Sequence, residues 1–227
     1  MKFTYLGHSS FLLEIKDTKI LFDPFISGNE LAKDLVDINT IEADYIFISH
    51  GHADHVADAP AIAIRTGSKV IAAYEVCGWL EKQGVKNCHP VNHGGKLTFD
   101  FGTVKFTSAI HSSSMPDGTY GGNPMGFYIE TSEKNVYYSG DTALTYDMKL
   151  LADYGRVDVA LLPVGDNFTM GYEEACIAAQ FVNTNHVIAL HYDTFGFIVI
   201  DKNLAKAYFE QHGKTLSFVE IGNSIPL

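Results

Sequence analysis

The chain has 227 residues, 46% of them hydrophobic and 19% charged, enough to bury a full core and too apolar for a disordered or fibrous protein. Sixteen Lys and Arg against 27 Asp and Glu leave a net charge of −11, which repels phosphate backbones and anionic membranes. A small-molecule substrate is therefore expected, with no nucleic acid and no membrane as partner.

The opening residues, MKFTYLGHSS, contain no uninterrupted apolar run, so no signal peptide or anchor is read and a cytoplasmic protein is expected. Residues rich in β-branched and aromatic types predict three strands, Phe3 to Leu6, Phe11 to Ile15 and Lys19 to Phe22, joined as a meander through turns at Gly7 and Asp17. The run Tyr45 to Ser49 reads as a strand buried on both faces, and it ends directly in HGHADH. A helix from Asp58 to Arg65, a strand at Lys69 to Ala72 and a helix from Glu75 to Gln83 closed by Gly84 follow.

The second half repeats this grammar, with strands at Val104 to Ile110, Met125 to Glu130 and Asn135 to Ser139, a helix from Tyr146 to Asp153 and a buried strand at Asp158 to Pro163. A helix from Tyr172 to Asn183, a strand at His186 to Leu190, a helix from Lys202 to His212 and a last strand near Leu216 to Val219 complete it. No Pro-rich or Ser-rich linker interrupts the chain, so residues 1–227 are read as one α/β domain made of two similar halves.

Cys77, Cys88 and Cys176 are odd in number and show no CxxC spacing, which argues for reduced packing residues over a disulfide or zinc framework. Histidine is the informative residue, because three of the ten fall at His50, His52 and His55. His50 and His52, two apart on extended chain, project to one side, where their imidazoles can share an ion. Asp54 and His55 come after the turn and point elsewhere, so the six residues can serve two neighbouring metal positions. A random HxHxDH arises in on the order of one such chain per thousand.

Further ligands are sought where a His or Asp directly follows an apolar strand, since strand ends hold side chains rigidly. His111, Asp141 and His191 meet that condition. Taken singly, each also fits an ordinary turn or core role. His89, His93, His186 and His212 lie at turns or element ends and read as surface or structural. The segment Asn167 to Met170 could border a pocket, but its Phe and Met read first as core.

HGHADH, a downstream His, SGDT and a final His after a strand resemble the ordered ligand set of the metallo-β-lactamase-fold hydrolases. The opening YLGHSSFLLE with ILFDPF is similar to the small metal-dependent hydrolases akin to ascorbate-6-phosphate lactonase and the phospholipase D that releases N-acylethanolamines. The compact length and LLPVGDNFTMG are most similar to the UPF0173 metal-dependent hydrolases. The resemblance implies a four-layer αββα sandwich with the site where the two sheets open. It also implies two divalent ions, one on His50, His52 and His111, the other on Asp54, His55 and His191, with Asp141 bridging through one oxygen to each. Asp23 would orient the HGHADH loop by hydrogen bonds, and His8 would lie near the pocket as a turn residue or a substrate or proton contact.

The expected chemistry is hydrolysis of a small ester, lactone or phosphodiester, with Asp54 accepting a proton from the attacking water. Zinc is the first choice of metal, with manganese or iron as alternatives. Two other functions compete. A mononuclear iron oxygenase or redox protein on the same fold would leave Asp54, His55 and His191 without a role, and a non-catalytic metabolite-binding module would show an intact site without turnover.

Overall fold

The computed structural model describes all 227 residues. The chain opens with β1 (Lys2–Gly7), β2 (Ser10–Ile15) and β3 (Thr18–Phe22), paired antiparallel in sequence order. Ile15 faces Thr18 across a two-residue turn, which fixes the register that puts Leu13, Ile15 and Ile20 inside. β4 (Tyr45–Phe47), β5 (Lys69–Ala73) and β6 (Cys88–Val91) extend this sheet in parallel.

The second sheet is built in the same way. β7 (Lys96–Phe99), β8 (Gly102–Ser108), β9 (Met125–Glu130) and β10 (Val136–Tyr138) pair antiparallel, and β11 (Val159–Pro163), β12 (His186–Leu190) and β13 (Thr215–Ser217) continue in parallel. β14 (Ser224–Pro226) returns to pair with β1, so the two seven-stranded sheets run β14-β1-β2-β3-β4-β5-β6 and β13-β12-β11-β10-β9-β8-β7. The halves are therefore similar in topology as well as in pattern.

Six helices complete the chain: α1 (Ala53–Val56), α2 (Ala59–Thr66), α3 (Tyr74–Lys82), α4 (Leu151–Tyr154), α5 (Tyr172–Phe181) and α6 (Lys202–Gln211). α2 ends at Gly67, whose φ of 73° closes the helix in the left-handed region. α6 starts on Asp201, whose carboxylate accepts from Asn203 N and Leu204 N, and it buries Ala205 and Phe209, four apart, toward β13. α3 covers β5 and β6, and α5 lies on β11. Helices thus flank two mixed sheets, the sandwich expected from the sequence.

Several elements differ from expectation. The predicted helix from Tyr146 to Asp153 is a 3₁₀ stretch, Tyr146–Leu150, capped by the Thr145 hydroxyl, followed by the single turn of α4. The strand placed at Val104 to Ile110 ends at Ser108, leaving Ala109 and Ile110 as loop. β6, β7 and β14 had no sequence prediction, and all three are sheet edges. No helix is long and apolar enough to cross a membrane.

The core lies between the sheets as one cluster of 62 buried residues. Phe22 and Phe47 of the first sheet meet Phe127 of the second edge-on at 5.6 Å each, and Phe11 meets Tyr138 at 5.0 Å. β11 is buried along its whole length, as a parallel strand covered on both faces must be. The strands of each half run so that the ends of β1, β3, β4, β8, β10 and β12 open toward one edge, where the candidate site is found.

Candidate functional site

His50 leaves the end of β4 fully buried, and His52 stands as the residue before α1. The chain between them is not a regular strand, yet His50 Nε2 and His52 Nδ1 lie 2.9 Å apart. Asp54 and His55 occupy the first turn of α1, an element too short to show in the sequence pattern. The HGHADH segment therefore wraps around the site rather than projecting from one side of it.

Asp23 organises that wrapping. It sits just past β3, with no exposed surface and φ of 42°. Its Oδ1 accepts from Ser49 N at 2.7 Å, and its Oδ2 accepts from Ser49 Oγ at 2.6 Å, His55 Nδ1 at 2.9 Å and Tyr138 Oη at 2.5 Å. A carboxylate only accepts, so His55 carries its proton on Nδ1 and presents a bare Nε2. Ser49 Oγ, having donated to Asp23, accepts from His50 Nδ1 at 2.9 Å, which bares Nε2 of His50 in the same way. Tyr138 comes from β10, so this one carboxylate also ties the two sheets together.

Asp141 follows Gly140 past the end of β10. Gly140 has φ of 62°, and a Cβ there would sit 2.6 Å from Met125 O, so no other residue fits the turn that aims Asp141 inward. His191 follows β12 at φ of 54°, and its N–H donates to His8 O at 2.9 Å, pinning β12 to the first turn of the other sheet. His8 itself has φ of 55°. Three buried side chains at left-handed backbone, His8, Asp23 and His191, gather at one point, each costing roughly 1–3 kcal/mol that the packing must offset.

Three of the expected ligands converge on the carboxylate oxygen of a fourth, Asp141 Oδ2. His191 Nε2 lies 3.0 Å from it, His55 Nε2 3.2 Å and His111 Nε2 3.8 Å. His50, His52 and His111 form one group of donors, His50, His55 and Asp141 another, and Asp54, His55 and His191 a third that also takes in His8. The sequence reading gave each ion one Asp141 oxygen; in the fold Oδ2 alone faces imidazoles of both sides, and Oδ1 is buried without a partner. His8 donates from Nε2 to Asp54 Oδ2 at 3.0 Å, and its Nδ1 lies 2.9 Å from Thr194 Oγ1, so it supports Asp54 from behind.

The charges are those of a cation site. Burial lowers the pKa of His50, helped by His55, and burial likewise lowers His52 and His111, keeping neutral imidazoles with free lone pairs. Burial would raise the Asp141 carboxyl, but His191 and His55 outweigh it and hold it well below its usual range. Burial alone would lower His55; Asp141, Asp23 and Asp54 overcome it and raise the pKa well above normal, so without an ion Nε2 takes the proton that a metal would displace, and this corner favours a positive charge. His55 Nε2 and Asp141 Oδ1 are buried with no hydrogen bond, and such orphans need a partner. The donor set thus fits one or more metal ions.

A family model for a β-lactamase superfamily domain matches residues 2–191. A UPF0173 metal-dependent hydrolase of Christiangramia forsetii is 51% identical over 227 residues, covering all of both chains. One from Flavobacterium johnsoniae is 49% identical with the same coverage. The chain belongs to the UPF0173 metal-dependent hydrolases. Among solved structures, Igni18, named a novel metallo hydrolase of the archaeon Ignicoccus hospitalis, matches with TM-score 0.88 at 34% identity, covering 99% of this chain and 97% of that one.

This UPF0173 member opens its site into a cavity of about 900 Å³, reached by His52, Asp54, His111, Asp141 and His191. Sequence reasoning missed Ser49, Tyr138 and Thr194, although Ser49 precedes His50 and Thr194 follows His191 by three residues. It also missed the cavity's phenylalanines Phe25, Phe195 and Phe197, while Phe168 faces the cavity rather than the core and Met170 alone is buried. His93 and His212 are exposed, and His89 and His186 are half-buried, all outside the site. The three cysteines are free.

Proposed function

We propose that this enzyme hydrolyses a small ester, lactone or phosphodiester with two divalent metal ions held between its sheets. The observation that carries the reading is the placing of imidazoles from both donor groups within 3.8 Å of the single oxygen Asp141 Oδ2. His50, His52 and His111 would hold one ion and Asp54, His55 and His191 the other, with the Asp141 carboxylate lying between the two groups. The donors are nitrogen and oxygen without sulfur, a set suited to zinc first and also to manganese or iron. Bound there, such ions acidify water and polarise the scissile carbonyl or phosphoryl oxygen.

The chain's own groups do the rest. Asp23 fixes the orientation of His55 directly and of His50 through Ser49. Asp54 opposes its own burial with His55 and His8 beside it, so its carboxyl stays well below the usual range and ionised. A quarter of its side chain faces solvent, where it can accept the proton of the attacking water.

Elemental analysis of protein purified without chelator tests this, alongside hydrolysis of lactone and phosphodiester probes. About two equivalents per chain with metal-dependent turnover is expected. Asp141→Ala should lower metal content and stability together, and Asp54→Asn should keep the fold and lose most turnover. Unchanged metal in the Asp141 variant would sink the two-ion reading, and one equivalent of iron without hydrolysis would favour the oxygenase.

A further inference from the structure

We infer that the substrate is an uncharged ester or lactone whose acyl side carries a hydrocarbon group, seated on a wall of four phenylalanines; this rests on the hydrolytic reading above. Phe25 follows β3, Phe168 lies between β11 and α5, and Phe195 and Phe197 lie between β12 and α6. These three loops are far apart in the chain, yet all four rings line the cavity that holds His111, Asp141 and His191. Phe168 is 49% exposed and Phe197 77%, large apolar surface left facing open space at one place. Their rings meet edge to face at 6.2 Å, while Phe25 and Phe195 stand 6.4 Å apart deeper in, against His8.

The polar part of the lining is nearly all at the reacting end. Apart from His52, Asp54, His111, Asp141 and His191, it consists of Ser112 and Thr194, and the Thr194 hydroxyl is already engaged by His8. No Lys or Arg lines the cavity. Lys202 and Lys206 border a different cavity, with Lys202 paired to Asp193 at 2.8 Å. A phosphate or carboxylate on the non-reacting part of a substrate would therefore lose its hydration and meet no counter-charge. A hydrocarbon chain or ring meets aromatic faces in a cavity of small-molecule size. In the reaction the water oxygen bonds to the carbonyl carbon, the ester C–O bond breaks, and the alcohol leaves carrying a proton.

The test compares kcat/KM for p-nitrophenyl acetate, p-nitrophenyl hexanoate and the mono-p-nitrophenyl ester of adipic acid, which matches hexanoate in length but ends in a carboxylate. Hexanoate should exceed adipate by about tenfold or more. Phe197→Lys should lower the hexanoate-to-adipate ratio severalfold. Calorimetry with N-phenylhexanamide and its ω-carboxylate analogue gives the same comparison without turnover. Preferential binding of the neutral amide, with no ester, lactone or phosphodiester probe hydrolysed by the metal-loaded enzyme, would keep the phenylalanine wall as a seat for a neutral hydrocarbon group and remove the hydrolytic reading, and with it the ester assignment. Turnover of acetate with adipate equal to or better than hexanoate would overturn the inference and leave hydrolysis intact. A dimer that Phe197→Lys dissolves while the ratio stays unchanged would also overturn it, because a second copy of the chain would then cover the wall.

Discussion

Replacing Asp23 by Asn changes almost nothing in shape and much in hydrogen bonding. In the native site two oxygens accept four hydrogens, three of them on Oδ2. An amide offers one acceptor and one donor group. If its NH₂ takes the place of Oδ2, it faces Ser49 Oγ, His55 Nδ1 and Tyr138 Oη; the two hydroxyls can rotate to accept, but His55 must give up its Nδ1 proton and with it the bare Nε2. If the NH₂ takes the place of Oδ1, it opposes the Ser49 N–H, which cannot turn. Either way one or two hydrogen bonds to a charged group are lost at about 1.5–3 kcal/mol each, so a loss of about 1.5–6 kcal/mol is expected. That is a large share of a typical folding stability of about 5–15 kcal/mol. Denaturant titration of chelator-treated protein reads the stability, and competition with a chromophoric chelator reads metal affinity, expected to fall about 10–100-fold. Ser49→Ala leaves the carboxylate three donors but takes away the acceptor of His50 Nδ1, so it should disturb His50 while His55 keeps its orientation. An Asp23→Asn protein with native midpoint and native metal affinity would refute the assignment of Asp23 as the group that orients His50 and His55.

Two further outcomes follow from the same geometry. Gly140→Ala places a Cβ 2.6 Å from Met125 O and 3.2 Å from the Ser49 Cβ at a φ of 62°, so a stability loss of a few kcal/mol is expected in the denaturant midpoint, and a native-like midpoint would contradict the turn. Burial, with His191, lowers the His8 pKa from 6.5 to about 4, against the opposing pull of Asp54. The folded state then binds fewer protons than the unfolded one between those values, so His8 makes metal-free protein less stable as pH falls through that window, on the order of 3 kcal/mol in total. His50, His52 and His111 act in the same direction, whereas the raised pKa of His55 acts in the opposite one. His8→Asn should therefore flatten the pH dependence of the midpoint between pH 6.5 and 4; an unaltered slope would count against a buried neutral His8.

The legible parts of the fold are those where one face of an element is fully buried. β2, β3, β9, β11 and β12 carry long apolar stretches because core presses on them, and each was visible as a strand. β6, β7 and β14 were not, and they are edge strands with polar or Pro-containing sequences, CHPV, KLTF and SIP, half in solvent. The Tyr146 to Asp153 pattern was read as a helix because its apolar residues recur suitably. The Thr145 cap instead starts a 3₁₀ stretch, which gives way to a single α-helical turn ending at Gly155.

Local spacing sufficed for the HGHADH segment, because its four polar side chains lie within six residues and need no partner element to be noticed. His111, Asp141 and His191 could be nominated from their positions after apolar strands, since an open sheet delivers such ends to one edge. Their meeting at Asp141 Oδ2 depends on the stacking of two sheets and on backbone turned left-handed at His8, Asp23 and His191. The Tyr138 to Asp23 bond spans 115 positions, and the four phenylalanines come from three separate loops, so a single Phe or Tyr in the chain is indistinguishable from core. Chain order carries the chemistry of groups that are neighbours along the backbone; the ones that orient them and shape the cavity become neighbours only when the sheets pack, because burial and distance are properties of the folded whole.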